Sequence, residues 1–232
     1  AVAAGPAMGR WYIRSRLLPR LSRGLGRTVE VGQLEVGYSR VRMTRVRVLG
    51  SGGTALAAIP TVDTHYDLFS VLSGPLEVRQ VLVERPRVSL IRRGDGSTNF
   101  LDLLQRTGAG GGGSLRIREL RLRGGTVSFD DRGRELTITA SQVEGTLVPG
   151  GAATVRMRPV RLSSPQLRTP IHLALVELRH DRLRRASRWT ELLPRVRVEG
   201  GQVHLFAGLT LSGIKGTIAP REEARDRLGI TL

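Results

Sequence analysis

The chain has 232 residues, enough for one or two domains, and it contains no cysteine, which excludes a disulfide framework and a thiolate metal site. Aromatic residues make up only 4% of the sequence, so the apolar volume comes mainly from valine and leucine. The net charge of +17, carried almost entirely by arginine, favours anionic partners. The arginines are nevertheless spread along the chain, which is also typical of solvent-facing strand positions.

The first predicted element is a basic amphipathic segment, residues 1–26, with a helix over residues 7–26. One helical stripe carries the apolar residues Trp11, Leu18, Leu21 and Leu25. Two interpretations remain open: a helix on a membrane surface, or a helix that caps the end of a sheet. The predicted membrane-surface residues are Trp11, Tyr12, Arg10, Arg14, Arg16 and Arg20.

Residues 27–232 are predicted to form a β domain, because one apolar spacing occurs in them five times. With h for an apolar residue and x for any residue, the spacing is h-x-h-x-x-h-x-h, which we call the cassette. The complete cassettes are Val41, Met43, Val46, Val48; Leu76, Val78, Val81, Val83; Leu115, Ile117, Leu120, Leu122; and Val155, Met157, Val160, Leu162. Leu193, Val196 and Val198 form a fifth that lacks its first apolar residue. The copies begin 35 to 40 residues apart, a spacing typical of repeat proteins.

Each cassette is interpreted as a bulged or kinked strand with one apolar face. Residues two apart point to the same face of a strand, and the extra residue in the middle reverses this phase unless a β-bulge absorbs it. The x positions are mostly charged, as in Arg42, Arg45 and Arg47. A helix fits poorly, because the first two apolar positions would lie about 200° apart around its axis.

The remaining elements follow from local pattern. Residues 136–148 and 171–178 alternate as strands, and residues 203–219 indicate a strand, a turn and a strand. Residues 98–106 and 181–193 predict short inserted helices. The glycine-rich stretch 108–113 predicts a flexible loop within one body, because the cassette resumes directly after it.

The sequence offers no catalytic constellation. The four histidines lie at positions 65, 172, 180 and 204 without metal-ligand spacing, so no metal or other cofactor is expected. Asp130 and Asp131 precede Arg132 and Gly133, where aspartate is a usual turn residue. The aromatic residues do not alternate with the basic strands, so nucleic-acid binding is not expected, and neither is an enzyme.

A sheet with one apolar face must hide that face, and the predicted helices are too few and too short to cover it. The economical solution is a curved trough lined by the cassettes. The predicted fold is therefore mainly β: a repeating, curved antiparallel sheet that forms an elongated groove, with a short N-terminal amphipathic helix and one or two short inserted helices. An aliphatic lining suits acyl chains, and basic rims suit phosphate headgroups.

One ordered series of residues carries a family resemblance. It runs Leu25, Gly26, Arg27, Val29, Val31, Gly32, Leu34, then Asp67, Leu68, Ser70, Leu72, Gly74, then Leu76, Val78, Val81, Pro86, Val88, Leu90, and closes with Arg93, Asp95, Gly96, Asn99, Phe100. Over residues 18–104 the chain resembles the N-terminal region of the AsmA-like superfamily, which includes TamB. Residues 115–130 resemble the later part of that series, with Gly124 and Gly125 in place of Arg85 and Pro86.

The resemblance implies a periplasmic β-groove protein anchored in the bacterial inner membrane, whose partners are phospholipid and the membrane itself. Such proteins are linked to phospholipid transport and to outer-membrane biogenesis. A membrane-spanning helix is usual in the family, so it is expected upstream, and this chain is expected to be the membrane-proximal part of a longer protein. Two other hypotheses remain: a scaffold whose open sheet edge pairs with an outer-membrane protein, and, least favoured, a nucleic-acid binder.

Overall fold

The computed structural model describes residues 26–50, 55–66, 76–99, 115–149, 151–167, 169–180, 195–204, 210–220 and 228–231, with the single residues 15, 19, 22 and 53. Within these ranges thirteen strands form one large sheet, so the prediction of a mainly β fold is confirmed. The strands are β1 (Val29–Val36), β2 (Arg40–Leu49), β3 (Ala55–Tyr66), β4 (Leu76–Glu84), β5 (Arg87–Arg92), β6 (Leu115–Ile117), β7 (Leu120–Asp131), β8 (Leu136–Leu147), β9 (Ala153–Ser163), β10 (Ile171–His180), β11 (Arg195–His204), β12 (Thr210–Pro220) and β13 (Leu228–Thr231).

The sheet is mixed, which corrects the prediction of an antiparallel one. The strand order is β1-β2-β3-β4-β7-β8-β9-β10-β11-β12-β13, with β5 paired to β3 and β7, and β6 paired to β4. β4 and β5 run parallel to β6 and β7, whereas the other neighbours are antiparallel. Parallel neighbours need a crossover of a dozen or more residues. Residues 93–114 provide that length between β5 and β6.

The parallel part of the sheet has a constant register. Every residue of β4 and β5 that pairs there lies beside the residue 39 positions later, from Leu76 and Leu115 at one end to Arg92 and Asp131 at the other. The ladder continues across the interruptions, because the Arg85 amide donates to the Arg123 carbonyl at 2.8 Å and the Thr126 amide donates to the Pro86 carbonyl at 2.7 Å.

The strands predicted over 136–148 and 171–178 are confirmed as β8 and β10. The predicted aspartate turn is also present: Asp131 ends β7, and its Oδ1 accepts hydrogen bonds from the amides of Gly133 and Arg134 at 3.1 and 3.2 Å. Such an Asx turn fixes the hairpin between β7 and β8.

A line of interruptions, which we call the break line, crosses the strands from β1 to β11. At each of its positions the ladder pairing is interrupted or the register shifts, while pairing resumes on both sides. The break line consists of Gly32, Arg45, Pro60, Arg85, Gly124, Ser141, Pro159, Ala174 and Gly200. Four of them have a positive φ: 53° at Arg45, 48° at Arg85, 63° at Gly124 and 66° at Gly200. The two prolines have no amide hydrogen to donate to a ladder.

Of the predicted helix over 7–26, only positions 15, 19, 22 and 26 are described. The predicted membrane-surface residues, Trp11, Tyr12, Arg10, Arg14, Arg16 and Arg20, lie outside the described residues. The glycine loop 108–113 and the predicted helix 181–193 also lie outside them. Of the predicted helix 98–106 only the first two residues are described, and they run alongside β5 instead: Thr98 bridges Arg92, and the Asn99 amide donates to the Ile91 carbonyl at 3.0 Å.

All the described strands belong to one sheet, so the described part of the chain contains a single layer of strands.

Candidate functional site

Two rows of mainly aliphatic side chains cross the sheet perpendicular to its strands, one on each side of the break line. The upper row, in which each residue is the ladder partner of the next, is Met43, Val62, Val83, Leu122, Gly145, Val155, Leu178 and Val196. The lower row, built in the same way, is Val48, Ala57, Val88, Val127, Ala140, Val160, Leu173 and Gly201. Five residues separate the rows in each strand, as from Leu122 to Val127.

An odd separation would place the two rows on opposite faces of a regular sheet, because side chains alternate. The structure places them on the same face instead. Leu122, Val155, Leu178 and Val196 of the upper row and Val127 and Leu173 of the lower row all pack against one cluster of buried residues. That cluster is Ala140, Val143, Val160 and Val176. The break line between the rows therefore restores the phase, and we call the combined surface the aliphatic face.

The fourth predicted cassette lies wholly on this face. Val160 is 3% exposed, and Val155, Met157 and Leu162 pack around it. The interruption falls at Pro159, in the middle of the cassette, as the spacing predicted. The register with β8 and β10 does not change across it, because both neighbours are interrupted at the same level. The phase change is thus a kink shared by neighbouring strands and not a bulge in one of them.

The first cassette lies on β2, with its interruption at Arg45. Val41 and Val46 are buried, and Met43 and Val48 are half-buried. Val41 forms a small buried cluster with Leu34, and the partly buried side chains of Val36, Met43 and Tyr66 pack against it. The Tyr66 hydroxyl donates to the Gly37 carbonyl at 2.6 Å, and burial raises the pKa of Tyr66.

The second and third cassettes lie side by side in the parallel part of the sheet. Val78, Val81 and Val83 pair with Ile117, Leu120 and Leu122. A register shift at Arg79 brings Val78 opposite Tyr66 while Gln80 stays opposite His65, so this cassette contains the β-bulge that was predicted. Leu76 and Leu115 pair through their backbones, and their side chains lie outside the described set. In these two cassettes the break line falls beyond the last apolar residue, at Arg85 and Gly124.

Sequence reasoning missed that the same spacing is present on the intervening strands. It reads identically in both directions, so an antiparallel neighbour presents the same pattern. The additional copies are Val29, Val31, Leu34, Val36 on β1; Ala57, Ile59, Val62, Thr64 on β3; Ile138, Ala140, Val143, Gly145 on β8; and Ile171, Leu173, Val176, Leu178 on β10. On β11 the copy is Val196, Val198, Gly201, Val203, which shares two residues with the predicted fifth cassette; Leu193 of that cassette lies outside the described residues. The signal was the palindromic spacing itself, masked where threonine or glycine fills an apolar position.

The opposite face of the sheet is charged, and acidic residues on it pair with arginines. Glu77 accepts from Arg118 at 2.7 Å, Glu119 from Arg121 at 2.9 Å, and Glu177 lies 3.6 Å from Arg156. These guanidinium groups are half or more exposed. Exposed pairs of this kind contribute roughly 0–1 kcal/mol each, so they order the face more than they stabilise the fold.

Asp63 is the exception on the charged face, because it is only 3% exposed. Its Oδ1 accepts hydrogen bonds from Arg40 Nε at 2.8 Å and from Arg42 Nε at 3.1 Å, and its Oδ2 accepts from Arg42 Nη2 at 3.3 Å. The hydrogen bond from Arg40, and then that from Arg42, hold the pKa of Asp63 below its usual range. The sequence signal was a lone carboxylate inside an alternating strand, with both basic partners on another strand.

Among the described residues, no group of three histidine, aspartate or glutamate side chains is placed to hold a metal ion. Within the same residues, no helix combines the length and the apolar character needed to cross a bilayer. The comparisons with known proteins returned no match, either to a protein-family model or to a curated protein.

Proposed function

We propose that the aliphatic face lines an elongated groove that carries phospholipid acyl chains. The observation that supports this most strongly is the pair of rows, which continue by ladder pairing from β2 to β11 and pack against one buried cluster on β7 to β11. A continuous aliphatic surface has no directional contacts to distinguish one position from the next. It therefore suits a ligand that slides, such as an acyl chain, better than one held at a single point.

The dimensions of the face support the proposal. Five residues of strand separate the rows, which is about 16 Å. One leaflet of a bilayer has a hydrocarbon thickness of about 15 Å, half of the core of about 30 Å. An extended acyl chain lying along a strand would thus contact both rows at once.

The single-layer architecture supports it as well. A sheet with an apolar face needs a second layer, and the described strands provide none, because they all belong to the same sheet. In this proposal the sheet curls around acyl chains, which serve as that layer. The constant offset of 39 residues between β4–β5 and β6–β7 supports a repeated unit, which would let the groove extend to any length.

The setting proposed is the bacterial envelope, on the strength of the AsmA-like resemblance of residues 18–104. There the protein would be periplasmic, anchored to the inner membrane, and would act in phospholipid transport and outer-membrane biogenesis. The arginine-rich opposite face would remain in water and would favour anionic surroundings such as phospholipid headgroups.

Site-specific photo-crosslinking tests the proposal. A photoreactive amino acid is placed at Leu120 or, as a matched control one residue away on the opposite face, at Arg121. We expect phospholipid to be captured from Leu120 and not from Arg121, and likewise from Val81 but not from Arg79. Equal capture at both members of a pair would refute an acyl-binding face, since it would show contact without sidedness.

A second candidate function is a scaffold that pairs through its edge with an outer-membrane protein. It is favoured by the ends of the strand order, because β1 and β13 each have one neighbouring strand among the described residues. Purification of a stoichiometric protein partner without bound lipid would support this function over lipid transport.

A further inference from the structure

A cavity of about 620 Å³ lies beside the break line, on the face opposite the aliphatic rows. Its position follows from the alternation of side chains along a strand. On three strands, the lining residues come directly before and after a residue of the lower row: Arg87 and Ser89, Thr126 and Ser128, and Thr139 and Ser141. Most of the lining side chains are small, with Leu56 the one large aliphatic exception, so a hollow remains where larger ones would fill the surface. Its volume is that of a small-molecule site.

The polar side chains of the cavity form a continuous row. Ser89, Ser128, Thr139, Arg161 and His172 are ladder partners in that order on β5, β7, β8, β9 and β10. Side chains directly opposite each other on neighbouring strands have Cβ atoms about 5 Å apart. Arg161 therefore has Thr139 and His172 as its direct cross-strand neighbours on this face.

Among the described residues, the lining of the cavity has positive charge and hydrogen-bond donors but no carboxylate. It includes Arg87, Arg161 and His172, and no described aspartate or glutamate contributes to it. Among the described residues, neither arginine forms an ion pair. On the same strand as Arg161, by contrast, Arg156 pairs with Glu177. The lining of the cavity therefore leaves Arg161 without a carboxylate partner, unlike Arg156 on the same strand.

We propose that this cavity binds a phosphate group, held by Arg161 between Thr139 and His172. A guanidinium group presents a planar fork of donors that matches a phosphate, and hydroxyl groups add neutral donors to the remaining oxygens. Arg87 lies three strands away from Arg161, about 14 Å across the sheet. A single phosphate therefore contacts only one of the two arginines, and Arg87 marks the far end of the site.

The site does not depend on the acyl-binding proposal, because it lies on the other side of the sheet. A phospholipid whose chains lie on the aliphatic face cannot place its headgroup in the cavity through the backbone. Two sources of the phosphate remain, a free water-soluble phosphate and the headgroup of a membrane that approaches the charged face.

Titration calorimetry of the full 232-residue chain with inorganic pyrophosphate, and flotation with phosphatidylglycerol vesicles, test the proposal. Arg161→Gln is compared with Arg158→Gln, which removes the same charge from the same strand but lies outside the cavity. We expect saturable binding in at least one assay. Arg161→Gln should weaken it about tenfold or more, and Arg158→Gln should leave it within twofold.

Thr139→Val provides a second variant that keeps both the charge and the β propensity, and it should weaken binding a few fold. Binding of pyrophosphate identifies a free phosphate as the ligand, and Arg161-dependent binding to vesicles alone identifies a headgroup. Equal weakening by Arg161→Gln and Arg158→Gln would overturn the proposal, because it would reveal diffuse attraction to a basic surface. The absence of binding in both assays would overturn it too.

Discussion

The break line is built differently in the two halves of the sheet. In β2 and after β4 the residues with positive φ are Arg45 and Arg85, whereas in β7 and β11 they are Gly124 and Gly200. Bulky residues on or next to the break line lie against glycines: a Cβ on Gly32 would lie 2.8 Å from Arg45 Nε, and one on Gly125 would lie 3.1 Å from Pro86 Cγ. At Gly200 the neighbour is small instead, since an added Cβ would lie 2.9 Å from the Cβ of Ala174.

The halves also differ in how their buried residues are arranged. In strands β1 to β3, five aliphatic residues and the carboxylate of Asp63 are buried, and Leu34 and Val41 form a cluster of two. Strands β7 to β11 surround four buried aliphatic residues with ten partly buried ones. The break line therefore crosses the strands at a constant level, although different residues form it. This indicates that the fold requires both rows on one face, and that arginine, proline or glycine at the break can each provide the change of phase.

The largest effect is expected from a charge placed in the buried cluster of strands β7 to β11. Val160→Asp buries a carboxylate without a partner at a position that is 3% exposed, and we expect it to lower the free energy of unfolding by about 4 kcal/mol or more. Arg158→Asp, on the exposed side of the same strand, should cost less than about 1 kcal/mol. Urea titrations followed by circular dichroism measure both, and similar losses would contradict the sidedness of β9.

The next largest effect is expected at Asp63, on β3. Asp63→Asn should cost about 2 kcal/mol near neutral pH, an amount moderated because Arg40 and Arg42 are 47% and 41% exposed. Because the folded-state pKa of Asp63 is depressed, its contribution is complete above the unfolded pKa of about 4 and is lost as the pH falls through the folded value.

The difference in stability between wild type and Asp63→Asn should accordingly shrink below about pH 4. Glu144→Gln, which replaces an exposed carboxylate on β8, provides the control and should leave the acid dependence unchanged. A wild-type to Asp63→Asn difference that stays constant down to pH 2 would show that the ion pairs with Arg40 and Arg42 do not stabilise the fold.

A smaller effect is the difference in stability expected between alanine substitutions at Gly200 and Gly213. Gly200→Ala imposes backbone strain at φ 66° and a clash with Ala174, so we expect a loss of about 2 kcal/mol. Gly213→Ala has a similar φ of 73° but no atom within 4 Å of the new Cβ, so about 1 kcal/mol from strain alone is expected. Equal melting temperatures for the two variants would mean that close packing at Gly200 has no energetic role.

The smallest effect is expected from replacing Arg45, an arginine with a positive φ on the break line. Arg45→Gly relieves a left-handed conformation at φ 53°, and should raise the free energy of unfolding by up to about 1 kcal/mol. A loss of more than about 1 kcal/mol would instead show that the contact of the Arg45 side chain over Gly32 stabilises β2.

The sequence was sufficient to predict the features that depend on near neighbours. Strands β8 and β10 and the aspartate turn at Asp131 follow from local pattern. The interruptions at Arg45 and Pro159 follow from the odd spacing of apolar residues within each cassette, because a change of phase is visible within eight residues.

Pairing between distant segments could not be predicted from local pattern. The parallel register of β4 with β7 depends on which strands meet after a crossover, and local spacing contains no information about that. The partners of Asp63 lie 23 and 21 positions away, so its burial emerges only when β2 and β3 pair. The sequence analysis also assigned the cassette to only one strand in each 35 to 40 residues. The copies on β3 and β8 were missed because Thr64 and Gly145 occupy apolar positions of the spacing.

The central claim is that rows five residues apart share one face and that this face takes acyl chains. Because the chain has no cysteine, single cysteines can be introduced at Leu122 and Val127, labelled with a small fluorophore, and exposed to phospholipids with a nitroxide on the acyl chain. We predict that both labels are quenched, while labels at Arg121 and Thr126 are not. Quenching at Leu122 without quenching at Val127, or equal quenching at all four positions, would contradict the claim.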